Sequence, residues 1–208
     1  MAAVKKDFEI LIGSTWGYVI RWGTTPIVRK PITNIDLSLG APRLSVSSHG
    51  LFEGWGVAVY GVKSPRQINA VNNPPEGGDY HSATVIDTGT IELNDVTPVD
   101  ENGQEWPAYT SGGFIQYDTP VDLTGYTARM SIKDKIGGAV LHSLTTENGG
   151  IVIDPAAKTI LLSIPAATTE DFTWSRGVYD LEMVSSDVEP VVTAILTGRV
   201  SVTREVTT

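Results

Sequence analysis

The sequence predicts an all-β fold: an antiparallel β-sandwich with an inserted small β-barrel domain. Three observations predict it. The 208 residues include 21 glycines and 12 prolines, above the ~12% of an average chain, so turns are frequent. Val, Ile and Thr are abundant, and few segments suit a long helix. Residues 126–133 then show strict alternation: Tyr126, Ala128, Met130 and Ile132 share one face, and Thr127, Arg129, Ser131 and Lys133 the other. That period of two marks a half-buried antiparallel strand.

The elements follow in order. Phe8, Ile10 and Ile12 alternate, Gly13-Ser14 interrupts, and Trp16, Tyr18, Ile20 and Trp22 continue on one side. This predicts two short strands, or one bent strand, over about 7–22. Gly23, Pro26, Pro31, Gly40 and Pro42 mark 23–43 as an irregular connection with one short strand. Short strands are expected at 44–48 and 55–60, a long Pro/Gly-rich loop over 63–82, and strands at 84–86, 90–93 and 113–117. Segment 95–107 is polar and loop-like. After the strand at 126–133, Lys135-Ile-Gly-Gly138 reads as a hairpin turn. Strands follow at 140–145, 151–153 and 159–164. Leu161 and Leu162 make the last of these apolar on both faces, so it is expected at the centre of its sheet. Pro165–Phe172 reads as one or two helical turns. Strands at 177–184 and 191–206 complete the set. The latter is long and carries few charges, with Arg199 and Arg204 as its only basic residues. It is expected to present an edge that a neighbouring subunit covers.

The strands up to Trp22 are too short to bury their aromatics alone, and the sheet begun at Pro120 offers partners. The domain expectation is therefore 1–40 plus 118–208 as a discontinuous sandwich, with 41–117 inserted as a small barrel.

Composition narrows the function classes. The net charge is −9, with both signs interspersed and no basic stripe, so sequence-independent nucleic-acid binding is not expected and an anionic membrane would repel the chain. The absence of cysteine excludes disulfides and thiolate metal sites. No long apolar run follows Lys5-Lys6, so no signal peptide is expected at the N-terminus. No apolar stretch approaches the ~20 residues that span a bilayer.

Chemistry-bearing residues are dispersed. His81 stands two residues from Asp79, but Gly77-Gly78 and nearby prolines make this a loop; His49 and His142 lie elsewhere. Asp100–Glu105 has a faint likeness to a calcium loop. Counted from Asp100, however, the twelfth position is Ser111, which cannot supply the bidentate acid, so an Asn-Gly turn is expected. No nucleophile elbow, Walker loop or His-Glu-x-x-His occurs. The acid pairs Glu170-Asp171 and Asp180/Glu182 are read as solvated. No catalytic, metal or cofactor residue is expected, and no enzyme. Trp16, Trp22 and Trp174 are expected in the sandwich core, and Trp55, Trp106 and Tyr109 in or near loops of the insert.

Several segments together resemble a known family. They are Pro-Val-Asp-Leu-Thr-Gly-Tyr-Thr-Ala-Arg-Met (120–130), Gly-Gly-Ala-Val-Leu (137–141), Thr-Glu-Asn-Gly-Gly-Ile (146–151), Thr-Trp-Ser-Arg-Gly-Val-Tyr-Asp-Leu-Glu (173–182) and Leu-Thr-Gly-Arg-Val-Ser-Val (196–202). They resemble the small sandwich domain of bacteriophage and prophage tail proteins, the type found at the N-terminus of upper baseplate proteins that hold receptor-binding proteins. Members of that family run from the first strands almost directly into the Pro-Val-Asp-Leu element, whereas here about a hundred residues intervene between Trp22 and Pro120. Within that stretch, 43–62, Ile68-Asn-Ala and 84–93 resemble the small barrel module named after the first catalytic cysteine half-domain of ubiquitin-activating enzymes. Without a cysteine, none of that chemistry carries over. The resemblance implies a structural component of a phage tail or baseplate, located in the virion after folding in the host cytoplasm. Its implied partners are other tail proteins, a tail fibre or receptor-binding protein, and copies of itself in three-fold or six-fold rings. The alternative is a carbohydrate-binding module contacting the host surface, for which exposed, coplanar Trp55 and Trp106 would be the signature.

Overall fold

A computed structural model describes residues 3–204. In chain order its strands are β1 (Val4–Lys5), β2 (Phe8–Ile12), β3 (Trp16–Ile20), β4 (Gly23–Pro31), β5 (Asn34–Asp36), β6 (Arg43–Ser45), β7 (Trp55–Val62), β8 (His81–Asp87) and β9 (Thr90–Leu93). They continue with β10 (Gly112–Pro120), β11 (Thr127–Lys133), β12 (Val140–Thr145), β13 (Ile151–Asp154), β14 (Thr159–Ile164), β15 (Arg176–Val184) and β16 (Val192–Arg204). The helix α1 (Ala166–Glu170) starts after Pro165, where proline is at home. The fold is all-β, in sandwich-like sheets. The chain divides into two compact units, Met1–Trp22 with Val121–Thr208, and Gly23–Pro120.

The first unit is a sandwich. One sheet runs β1/β2–β16–β15–β11–β12, and the other β13–β14–β3. Pairing is antiparallel throughout, except that β1 and β2 lie parallel to β16. Alternation along β11 decides its orientation: Ala128, Met130 and Ile132 are buried, while Thr127 and Arg129 are exposed. They meet Ile160, Leu162 and Ile164 of β14 in a single core. Phe8 anchors the N-terminal strands there. Its ring stacks on Tyr179 at 5.0 Å and meets Trp16 at 5.0 Å and Tyr18 at 4.9 Å. Trp22 meets Tyr126 edge-on at 5.7 Å, and Trp174 packs against the same core.

The expected open edge at 191–206 is corrected. Over its described part, β16 is flanked on both sides, by β15 and by the chain's own N-terminal strands, with Val4 opposite Leu196 and Phe8 opposite Val200. Residues 205–208 lie outside the described part. The crossing from β1 to β2 is tight. Lys6 N–H donates to Thr197 O at 2.9 Å, and Arg199 N–H donates to Asp7 Oδ1 at 2.9 Å. Tyr179 Oη donates to Lys6 O at 2.8 Å. Gly198 sits directly beneath: a Cβ there would come within 1.9 Å of Lys6 O.

The second unit is one ladder of order β4–β10–β7–β8–β9–β6–β5. Its first and last strands are two halves of one run, separated only by Ile32-Thr33. Ile32 N–H donates to Gly113 O, and Thr33 N–H donates to Ser45 O. The ladder therefore curls into a barrel-like wall around Leu44, Trp55, Val57, Val59, Ile91 and Ile115.

The expected boundary at residue 40 moves to 22, because β4 pairs with β10 and β5 with β6. The second boundary moves from 118 to 120 for the same reason. Pro26 and Pro31 hide β4 in the sequence. Pairing with β10 skips Thr25 and Pro26 at a register shift, one of the few places a ladder accepts proline.

Trp22 O accepts a hydrogen bond from Val121 N–H at 3.0 Å, so the first unit's two segments meet closely enough for a short splice. Replacing 23–120 with a brief Gly-Ser bridge is expected to leave a soluble protein that melts in one cooperative transition. An unfolded product, with 23–120 folding alone, would show that the first unit depends on the second.

Candidate functional site

Among the described residues, no three His, Asp or Glu side chains converge as a metal site. No described helix is long and apolar enough to cross a membrane. His49 is buried: Leu51 N–H donates to its Nδ1 at 3.0 Å, so Nε2 carries the hydrogen and donates to Asp87 O at 2.7 Å. It ties the turn before Leu51 to the end of β8. His81 Nδ1 lies 3.0 Å from Asp95 Oδ2. The His142 ring meets Phe172 at 5.2 Å, and burial lowers its pKa.

Asp79 organises the long loop before β8. Its carboxylate accepts from Glu76 N–H at 2.9 Å, Val71 N–H at 2.8 Å and the Asn72 side-chain amide at 2.9 Å. The backbone bonds from Glu76 and Val71, with that from the Asn72 side chain, hold its pKa down at about 2. A folded pKa below the usual ~3.9 means the carboxylate's contribution is present above that value and lost as pH falls towards about 2. Asp79→Ala is therefore expected to speed amide exchange at Val71, Asn72 and Glu76 at neutral pH, while the native loop loosens only in strong acid. Unchanged exchange in the variant would deny Asp79 this role.

Among the described residues, the remaining acids join no cluster of three or more. Asp100 Oδ1 accepts from Asn102 and Gln104 N–H, each at 2.9 Å, closing a turn. Glu170 ends α1 and Asp171 caps it. Glu182 is held by Arg129 at 2.7 Å on the outer face of the larger sheet. There a shallow depression of about 550 Å³ carries charges of both signs, including Lys133, Asp180 and Arg199.

The aromatic expectation for the second unit divides. Trp55 is 3% exposed and belongs to the core, so the pair with Trp106 does not exist. Trp106 and Tyr109 instead border a groove of about 870 Å³ between the turn at 37–40 and segment 97–109. Tyr109 Oη donates to Gly112 O at 3.0 Å, and Trp106 Nε1 has no partner among the described residues. Asn34, Asp36 and Glu105 are also among the residues that line the groove, and no described lysine or arginine is. The Ser38 backbone and hydroxyl, bonding to Asp36, lower that carboxyl's pKa.

One surface escapes the sequence reading. On the outer face of the smaller sheet, Val152 stands opposite Leu161, and Leu161 opposite Val19. The three are 52%, 37% and 45% exposed. The Leu161-Leu162 doublet carries the available signal: one of two adjacent apolar residues on a strand must face outward.

Compared with protein-family models and with curated proteins, the chain matches none.

Proposed function

We propose that the protein is a structural component of a bacteriophage or prophage tail, in or near the baseplate. It acts as an adaptor that assembles in three-fold or six-fold rings and helps attach tail fibres or receptor-binding proteins. It folds in the host cytoplasm before joining the virion. One observation carries this reading: from Val121 onward, the five segments that resemble the baseplate-type sandwich fall in the first unit, on β11, β12, β13, β15, β16 and the turns between them. The long departure from the family pattern coincides with the second unit. The role is geometric and asks for no catalytic residue. Mass spectrometry and averaged images of intact particles test it. The protein is expected in purified virions, contacting other tail subunits through its sandwich. Its absence from particles would sink the reading.

A second reading, a carbohydrate-binding module at the host surface, is favoured by the groove beside Trp106. An aromatic ring in a groove that amide and carboxylate groups also line suits a neutral sugar. Binding to a glycan array that is lost in Trp106→Ala would support it. No binding by the intact chain would remove it.

A further inference from the structure

We propose that two copies of this chain join edge to edge through β3, fusing their three-stranded sheets into one continuous sheet of six strands. The proposal rests on backbone geometry and stands apart from the virion reading.

The direction of each peptide group on β3 follows from its neighbours. Ser163 N–H donates to Gly150 O at 2.9 Å, so the odd-numbered residues of β14 bond towards β13. The even-numbered Ile160, Leu162 and Ile164 therefore bond towards β3, opposite Ile20, Tyr18 and Trp16. By the alternation of antiparallel ladders, the N–H and C=O groups of Gly17 and Val19 point away from the sheet. Among the described residues they have no partner on that side. Both residues are exposed.

Sheet edges left open to solvent are normally guarded, and another edge of this sandwich is. On β12, the Asn148 side chain accepts from Thr145 N–H at 2.9 Å and donates to Ser143 O at 3.0 Å, standing in for a further strand. The β3 stretch Trp16-Gly-Tyr-Val-Ile20 has no charge, no proline and no such cap. Lys6 lies over the inward-facing Tyr18 ring, with its Nζ 5.5 Å from the centroid, and Arg21 follows directly after Ile20.

The occupant is a second copy because the edge complements itself. Two β3 strands placed antiparallel about Tyr18 set Gly17 of each opposite Val19 of the other. Each such pair exchanges both of its N–H···O bonds. Gly17 has no side chain to crowd the facing Val19. Trp16 and Tyr18, only half-buried in one copy, are covered by Ile20 and Tyr18 of the other. A two-fold contact is compatible with six copies arranged as three pairs.

Light scattering on the full chain across a concentration series tests the contact. The mass is expected to rise to twice 22.3 kDa. Gly17→Lys is expected to stay monomeric throughout while melting like the native chain. A Cβ at position 17 meets only Leu162 O, at 3.6 Å, so the fold has room for it. Register is tested independently, since the chain has no cysteine of its own. On oxidation, Gly17→Cys mixed with Val19→Cys is expected to form linked dimers, because facing Cα atoms lie about 5.5 Å apart. Neither variant alone is expected to link, because like residues sit on a diagonal beyond ~7 Å. A native chain that stays monomeric at every concentration would overturn the proposal, with another protein's strand as the occupant. So would a dimer that survives Gly17→Lys, or linkage of either cysteine variant alone.

Discussion

Phe8→Ala is expected to destabilise the first unit by about 3–5 kcal/mol, the usual cost of emptying a phenylalanine site in a core. Phe8 is 7% exposed and touches three aromatic rings, Trp16, Tyr18 and Tyr179. The loss thus includes ring–ring contacts that are each worth ~0.5–1.5 kcal/mol beyond their area. Against the ~5–15 kcal/mol of an ordinary domain, this brings the unit close to unfolding. Denaturant unfolding followed by tryptophan fluorescence is expected to show one transition moved far down. A second transition, from the Gly23–Pro120 unit, is expected to hold its native midpoint, since its core is a separate cluster. A shift below ~1 kcal/mol would mean that the N-terminal strands contribute little to the sandwich. Equal shifts in both transitions would contradict two independent cores.

Gly198→Ala is expected to cost about 3 kcal/mol, the upper range for overpacking, and to act at a distance along the chain. The added methyl meets the backbone at Lys6 O, 1.9 Å, and Lys6 C, 2.7 Å, and the Asp7 side chain at Oδ1, 3.0 Å. Neither backbone atom can swing aside as a long side chain would. Relief requires β1 and β2 to lift from β16, which breaks the bonds from Tyr179 Oη to Lys6 O and from Arg199 N–H to Asp7 Oδ1. Hydrogen exchange is expected to accelerate over 4–12 while β11 and β14 stay protected. A variant with native exchange in 4–12 would show that the crossing has slack that the structure does not display.

Much of the fold is legible in the sequence because alternation is local. The strands at 90–93, 140–145 and 159–164 are read to the residue, and the Leu161-Leu162 doublet places β14 at the centre of its sheet. What escapes is long-range. Alternation in β16 says that one face is buried but not what lies on either flank. The parallel partners β1 and β2 are remote in the chain and signalled by no turn, so a doubly flanked strand reads as an open edge. The limits of the inserted unit are hidden for another reason. In Gly-Thr-Thr-Pro-Ile-Val-Arg-Lys-Pro (23–31), two prolines break the pattern by which a strand is recognised. Among candidate site residues, the dispersion of the histidines is visible from spacing. The burial of Trp55 is not, because a tryptophan at the mouth of a Gly-rich turn looks the same whether it opens a loop or a core strand.

The pairing of Asp7 with Arg199, 192 residues apart, has a consequence for synthesis on the ribosome. A chain made from its N-terminus brings out β1–β3 first, and none of them can pair until β14 and β16 have emerged. The intervening Gly23–Pro120 unit is continuous in sequence and contains all its own strand partners. It can fold while the rest is still being made, since domains generally fold as units during translation. Its folding also draws Trp22 and Val121 together, which shortens the loop that the sandwich must later close. Closure entropy grows only with the logarithm of loop length, so the thermodynamic gain is small. The kinetic exposure is larger: at ~5–20 residues per second, the aromatic strands of 8–20 wait for many seconds unpaired. That interval is when nascent-chain chaperones have their opportunity and when premature contact between neighbouring chains is most hazardous.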